Sequence, residues 1–252
     1  MASSPSHQLK LICEVPISDE FRSDLVLIQE NFNVEQVKAE PQALAKSYLL
    51  LQAKGLTFVD EDLGMLHLDF RNDLNNYSRN SHRGKSELIA KALGLPKAPQ
   101  VIFDGTLGLA QDAWFLSQLG AQVEGCERSP LIYLLLSDAL RRSQETKLKI
   151  NFGDSRHWLS NTKKKYTSIY LDPMFPEKKK SALPRKEMQI FRKWVGEDAD
   201  ALDLFSSAMQ SGAERVVVKR PLKSGEFHSG VVHSFRGTTV RYDLYSPRKE
   251  NL

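Results

Sequence analysis

The sequence predicts an α/β protein: a mostly parallel sheet covered by helices, ending in an antiparallel hairpin and preceded by a small N-terminal α/β subdomain. Three observations carry this. After Pro99, strand-like and helix-like segments alternate, which is the pattern of a parallel sheet buried on both faces. The closing run "VVHSFRGTTVRYDLYS" reads as two strands joined at Gly237. Before about residue 70 the rhythm differs, with short strands separated by glycine turns. The predicted domains are therefore residues 1–70 and 71–252.

Residues 1–8 read as a loose tail and "LKLICEV" as a strand. "SDEFRSDLVLIQENF" opens on Ser18 as an N-cap and places Phe21, Leu25, Ile28 and Phe32 at helical spacing. "YLLLQAKGLTFVDEDLGMLHLDF" reads as short strands. A polar, basic stretch follows and becomes helical from about Lys85, ending at Gly94 with Pro96 beyond. In the alternating region "QVIFDG", "AQVEGCE", "KLKINFGD", "TSIYLD" and "RVVVKRP" are strands. "GLAQDAWFLSQLG", "PLIYLLLSDALRRS" and "SRHWLSN" are helices, and two more helical stretches fill residues 185–212.

Composition sets broad limits. The 252 residues carry a net charge of only +4, so any polyanion must be met by a local patch and not by the whole surface. The N-terminus has no apolar run of signal-peptide type, and no stretch approaches the roughly 18 apolar residues of a membrane span, so a cytoplasmic protein is expected. Cys13 and Cys126 each sit in an apolar run without a C-x-x-C, as buried thiols do. The six histidines show no metal-ligand spacing, so no metal is expected. "RGKSEL" contains the end of a phosphate-binding loop, but Arg79 stands where that pattern needs glycine.

In an open parallel sheet, ligands bind beyond the carboxyl ends of the strands. Four consecutive strands here end in acids: Asp104 (followed by Gly105), Glu127, Asp154 and Asp172. Acids at such turns are common as N-caps, yet the fold puts all four on one rim. Gly105 and Gly108 allow backbone to approach a ligand, although the G-x-G-x-x-G dinucleotide pattern is absent. Glu127 ends the second strand of the series, where a carboxylate can accept both hydroxyls of a ribose. NAD enzymes and S-adenosylmethionine (SAM) enzymes share that device. Asp154 and Ser155 are placed to meet an adenine edge.

The stretch "YLDPMFP" ends the fourth strand at Asp172, and Pro173 and Pro176 bracket Met174 and Phe175. Taken alone, D-P-x-x-P is an ordinary turn. At this strand end it suits methyl transfer to an exocyclic amine, whose lone pair is delocalised into the ring. The Asp172 carboxylate and the Pro173 carbonyl can accept the two N–H groups and orient that lone pair. The prolines hold the acceptors in place, and Phe175 offers a stacking face.

Together "FDGTLGLAQD", "EGCERSP", "GDS" and "YLDPMFP" resemble class I SAM-dependent methyltransferases. The longer "LDPMFPEKKKSALPRKEM" with "RVVVKRP" resembles bacterial 16S ribosomal RNA guanine-N2-methyltransferases, the RsmJ family, and the similarity runs from about Leu68 to the C-terminus. The resemblance implies a Rossmann-like class I methyltransferase fold with a seven-stranded sheet, and SAM as cofactor. It implies methylation of the N2 amine of one guanosine near the 3′ end of 16S rRNA, with the rRNA or the small ribosomal subunit as partner. It also implies cofactor contacts at Gln111, Asp112, Glu127, Arg128, Asp154, Ser155 and Asp172. The chain departs from the family at Gln111, where arginine is usual, at Asp154, where serine is expected, and in the Gly-Thr-Leu-Gly turn.

The loop after the motif is basic: Lys178, Lys179, Lys180, Arg185 and Lys186, with Arg192 and Lys193 beyond. It follows the proposed catalytic turn, where a phosphate backbone would arrive. Arg71, Arg79, His82, Arg83 and Lys85 are candidates for an opposite wall. Lys219 and Arg220, at the end of "RVVVKRP", are expected on the same rim, whereas Lys163 to Lys165 precede their strand and are expected only to solvate. The rival readings are an N-methyltransferase for DNA bases or a protein amide, and a non-catalytic RNA-binding or ribosome-assembly factor on the same fold.

Overall fold

The computed structural model describes residues 9–29, 34–37, 47–71, 83–95, 100–174, 186–196 and 198–247. The chain forms two compact units. One spans Met1–Phe70, Arg128–Glu145 and Pro176–Glu197; the other spans Arg71–Glu127, Thr146–Phe175 and Asp198–Leu252. The expected domain boundary falls once, near residue 70. In the structure two later segments also join the first unit.

The first unit holds a five-stranded sheet in the order β2-β1-β3-β4-β5, with β1 Leu9–Cys13, β2 Val34–Val37, β3 Ser47–Gln52, β4 Gly55–Asp60 and β5 Gly64–His67. β1 runs parallel to β2 and β3, and β3, β4 and β5 form an antiparallel meander. Its turns end on Gly55 and Gly64, both at positive φ. Helix α1 (Asp19–Ile28) is capped by Ser18, whose hydroxyl accepts from Phe21 N at 3.2 Å, and it buries Phe21 and Ile28. Phe32, expected in the same helix, lies outside the described residues.

Two helices from later in the sequence pack in this unit. Taking α2 as Arg83–Leu93 and α3 as Gln111–Gln118, both of the other unit, the next is α4, Pro130–Ser143. It starts with proline after the Ser129 cap, and every residue from Leu131 to Ala139 is buried. Asp138 of α4 accepts from Leu56 N at 2.8 Å and from Arg142 Nε at 2.9 Å, and Arg142 donates to Leu68 O. After α5 (Ser155–Asn161), helix α6 (Lys186–Val195) is held by Asp60. That buried carboxylate accepts from Trp194 Nε1 at 2.9 Å and from Lys193 Nζ at 3.0 Å. These polar anchors are far apart in sequence, so the local pattern could not reveal them.

The second unit holds a seven-stranded sheet in the order β11-β12-β10-β9-β6-β7-β8. Its strands are β6 Val101–Asp104, β7 Gln122–Glu127, β8 Leu148–Phe152, β9 Ser168–Leu171, β10 Arg215–Pro221, β11 His233–Arg236 and β12 Val240–Tyr245. Neighbours pair in parallel except at β12, which is antiparallel to both β10 and β11. The chain winds from β6 outward through β7 to β8, then returns to lay β9 on the other side of β6. The β6–β9 gap is thus the switch point, where ligands bind in open α/β sheets.

Side chains alternate across this sheet. Phe103, Ile169, Leu171, Val216, Val218 and Tyr245 form one buried face with Leu159 of α5 and with Phe205 and Ala208 of α7 (Ala201–Gln210). Register places Asp104, Tyr170, Val217 and Tyr242 on the other face. The expected arrangement of parallel sheet and C-terminal hairpin is thus present.

Candidate active site

Asp104, the last residue of β6, has 2 % of its surface exposed. Gly105 N donates to Tyr170 O at 2.9 Å and so stitches the β6 turn to β9. Thr106 then joins two strand ends. Its N–H donates to Asp104 Oδ1 at 3.0 Å, and its hydroxyl oxygen accepts from Asp172 N at 2.6 Å. Burial, followed by the nearby Asp112 and Asp172 charges, pushes the Asp104 carboxyl up to about 7. Gly125, beside Asp104 in register, has no room for a side chain: a Cβ there would lie 2.8 Å from Asp104 O.

The turn from β6 into α3 passes through Gly108 and Ala110, both at positive φ (52° and 55°). It ends with Gln111 exposed and Asp112 in the first helical turn, where a carboxylate suits the helix dipole. Asp112 Oδ2 accepts from Tyr170 OH at 2.6 Å and from Lys219 Nζ at 2.9 Å. The same ammonium lies 2.7 Å from Asp172 Oδ2. Burial opposes the charge of Lys219, but Asp112 and Asp172 outweigh it and hold the ammonium well above its usual range. The Asp172 side chain remains 39 % exposed at the rim. Its carboxyl is shifted upward by desolvation and Asp112, with Lys219 acting against them.

Lys219, expected to face solvent and phosphate, therefore turns inward between two carboxylates. Arg220, its neighbour, has other partners. Its guanidinium lies 5.4 Å from the Phe227 ring centroid and donates to Gly225 O at 3.1 Å. Both follow from strand alternation, which sends neighbouring residues to opposite faces. Lys164 is a further difference. Expected only to solvate, it reaches Glu124 Oε2 at 2.7 Å, where Tyr166 OH also donates at 2.9 Å.

The remaining acids occupy neighbouring strand ends. Glu127 closes β7 with 5 % of its surface exposed, and its carbonyl accepts from Gly153 N at 3.0 Å. Arg128 is exposed and begins the segment assigned to the first unit. Asp154 caps α5 by accepting from Arg156 N at 2.8 Å, and both its oxygens also meet the Arg156 guanidinium. Ser155 is buried. Arg156 continues to Asp200 at 3.0 Å, and two residues earlier Asp198 accepts from Met174 N at 2.8 Å. The loop ahead of α7 thus holds both the β8 turn and the turn after Asp172.

Pro173 is buried; Phe175, Lys178, Lys179, Lys180, Arg185, Arg79 and His82 lie outside the described residues. So do the side chains of Arg83 and Lys85, whose backbone opens α2, while Lys186 is exposed at the start of α6. Thr106, Tyr170 and Tyr242 join the site without a local sequence signal of their own, although Thr106 lies in the glycine turn after β6 and Tyr170 two residues before Asp172. Among the described residues no group of His, Cys, Asp or Glu is placed to hold a metal ion. No helix among them is long and apolar enough to cross a membrane.

Residues 28–247 match the family described as "Putative SAM-dependent methyltransferase". The ribosomal RNA small subunit methyltransferase J of Bdellovibrio bacteriovorus is 43 % identical over 203 residues, covering 79 % of this chain and 81 % of that protein. The chain belongs to this methyltransferase family. A Coxiella burnetii protein of the same name is 40 % identical over 190 residues, 72 % of this chain and 75 % of that one. The crystal structure of a SAM-dependent methyltransferase from Neisseria gonorrhoeae superimposes with a TM-score of 0.72 at 28 % identity, covering 94 % of this chain and 96 % of that one. The protein is thus a SAM-dependent methyltransferase with a class I fold, and SAM is its cofactor. The donor set fits a cationic ligand, because Asp104, Asp112 and Asp172 face one ammonium, Lys219.

Proposed function

We propose that this methyltransferase acts on the exocyclic N2 amine of a guanosine in 16S ribosomal RNA, near its 3′ end. The observation that carries the amine chemistry is the Asp172 carboxylate at the switch point, held by Thr106 at its backbone and by Lys219 at Oδ2. The relatives named as ribosomal RNA small subunit methyltransferases support the substrate. The run of basic residues from Lys178 to Lys186 in the sequence supports a phosphate-rich partner.

In this reading, Glu127 takes the ribose hydroxyls of SAM. Gly105, Asp112, Asp154 and Ser155 frame the rest of the cofactor, and Gln111 and Arg128 are further candidate contacts. When bound, SAM would supply an electrophilic sulfonium methyl group to the N2 lone pair, with S-adenosylhomocysteine as the product. Asp172 and the Pro173 carbonyl accept the two N–H groups and aim that lone pair. The surplus N2 proton then passes to the Asp172 carboxylate and on to water. Phe175 stacks on the base, which must be unstacked to enter the site. Lys178, Lys179, Lys180, Arg185 and Lys186 meet phosphates, and Arg83 and Lys85 are further candidates for that role. A cytoplasmic location, and ribosomal RNA or the small subunit as partner, belong to the same proposal.

The test combines labelled SAM with small subunits from a strain lacking the gene. Incorporated label should be released by ribonuclease and resist deoxyribonuclease and protease, and mass mapping should find it as one N2-methylguanosine in 16S rRNA. Asp172→Ala should lose at least about 100-fold in rate, the scale of a positioned acid–base group. Label in DNA or protein, or unchanged turnover in Asp172→Ala, would sink the reading.

A further inference from the structure

Lys219 has a geometry that phosphate binding does not explain. Val217 pairs in register with Tyr170, so Lys219 and Asp172, each two residues further on, emerge on one face of adjacent parallel strands. Tyr242 lies opposite Lys219 on the antiparallel neighbour. The ammonium reaches Asp172 Oδ2 at 2.7 Å and Asp112 Oδ2 at 2.9 Å, and Tyr170 OH closes the cluster on Asp112 at 2.6 Å. The Lys219 side chain is 24 % exposed.

We propose that Lys219 is a positioning residue for Asp172: it fixes one carboxylate oxygen, turns the other toward the incoming amine, and keeps the carboxylate ionised so that it accepts hydrogen bonds. The proposal rests on Asp172 being the amine acceptor. The groups that face Asp172 among the described residues are Asp104 from β6, Asp112 from α3, Tyr170 from β9, Asp198 from the loop ahead of α7, Lys219 from β10 and Tyr242 from β12. Three are carboxyls, two are phenols and one is a cation. Without the ammonium, desolvation and the facing acids would shift the Asp172 carboxyl further upward, toward its protonated form. A protonated carboxyl points a donor where the amine needs an acceptor. Lys219 is thus the one cation in that set that opposes neutralisation.

The test compares the wild type with Lys219→Met and Lys219→Arg. Methyl transfer is measured from pH 5.5 to 9.5 at saturating cofactor. In parallel, the Asp172 carboxyl is titrated in the cofactor-free protein by carbon-13 NMR, its resonance assigned by its loss in Asp172→Asn. In Lys219→Met the acid limb and the NMR midpoint should both move up by about one pH unit or more, which lowers the ionised fraction at acid pH roughly tenfold. The rate deficit should therefore shrink as pH rises, and Lys219→Arg should return the midpoint toward the wild-type value. If Lys219→Met does not fold, Lys219→Met/Asp112→Asn removes the opposing charge as well, and its midpoint should still lie above that of Asp112→Asn. An unchanged midpoint with a uniform loss of rate at every pH overturns the proposal. A wild type that transfers nothing to RNA while the midpoint still shifts refutes the substrate reading and leaves the Lys219–Asp172 coupling standing.

Discussion

Replacing Asp104 by Asn should make the fold more stable, and increasingly so as pH rises. Asp104 is buried beside two other acids, and its carboxyl is raised from 3.8 to about 7. The folded protein therefore holds a proton that the unfolded chain releases above pH 4. That preference stabilises the fold fully below about pH 4 and is lost as pH rises through about 7. The shift of about 3 units corresponds to a cost of ~4 kcal/mol for the ionised form at pH 8, at ~1.4 kcal/mol per unit. Asparagine keeps the shape and the Oδ1 acceptor for Thr106 N but never ionises. Urea denaturation should therefore show a stabilisation of about 1–2 kcal/mol at pH 5 that grows by ~3 kcal/mol at pH 8, with the urea slope unchanged. SAM affinity, measured by calorimetry at pH 8, should fall, since Asp104 is ionised there and the variant lacks that charge facing a cationic ligand. A stability difference that does not change with pH, or a variant less stable at pH 8, would refute the placement of Asp104 as a buried, strained acid.

Arg241 and Asp243 form a buried pair, with Nε 2.9 Å from both oxygens, and Arg241 also donates to the carbonyls of Pro221, Leu222, Ser224 and Gly225. Arg241→Met strands Asp243 and should cost about 3–5 kcal/mol, whereas Arg241→Met/Asp243→Leu should recover much of it; thermal melts of the three proteins check this. Gly125→Ala would drive a Cβ to 2.8 Å from Asp104 O and Leu107 Cδ1, and should cost about 1–3 kcal/mol in the same melts. Asp60 is held at about 2 by the Trp194 and Lys193 hydrogen bonds against its burial. Its contribution is fully present above about pH 4 and is lost as pH falls toward 2, so Asp60→Asn should flatten the acid limb of a pH-stability curve followed by circular dichroism.

Much of the fold was legible locally. Strand–helix alternation marks the parallel sheet because each such strand must be covered on both faces. Acids at successive strand ends mark the ligand rim because parallel connection puts those ends together. Lys219 and Arg220 show where local reading stops. As neighbours in a basic strand end they look alike, yet one reaches two carboxylates and the other lies over Phe227. Lys164 is similar: a lysine run reads as solvated surface, while one of its members neutralises the buried Glu124.

The sequence by itself determined the alternation of elements, the strand-end acids, the proline-bracketed turn at Asp172 and the family that these residues mark. Tertiary structure alone decided that β9 lies beside β6 and not beside β8, which brings Asp172 to Thr106 and Asp104. It also decided that β10 delivers Lys219 to Asp112 and Asp172, across separations of 107 and 47 residues. The physical reason is range. Hydrophobic period, turn propensity and capping act over a few residues, whereas the charge balance of a buried carboxylate depends on whichever strands the sheet order places around it.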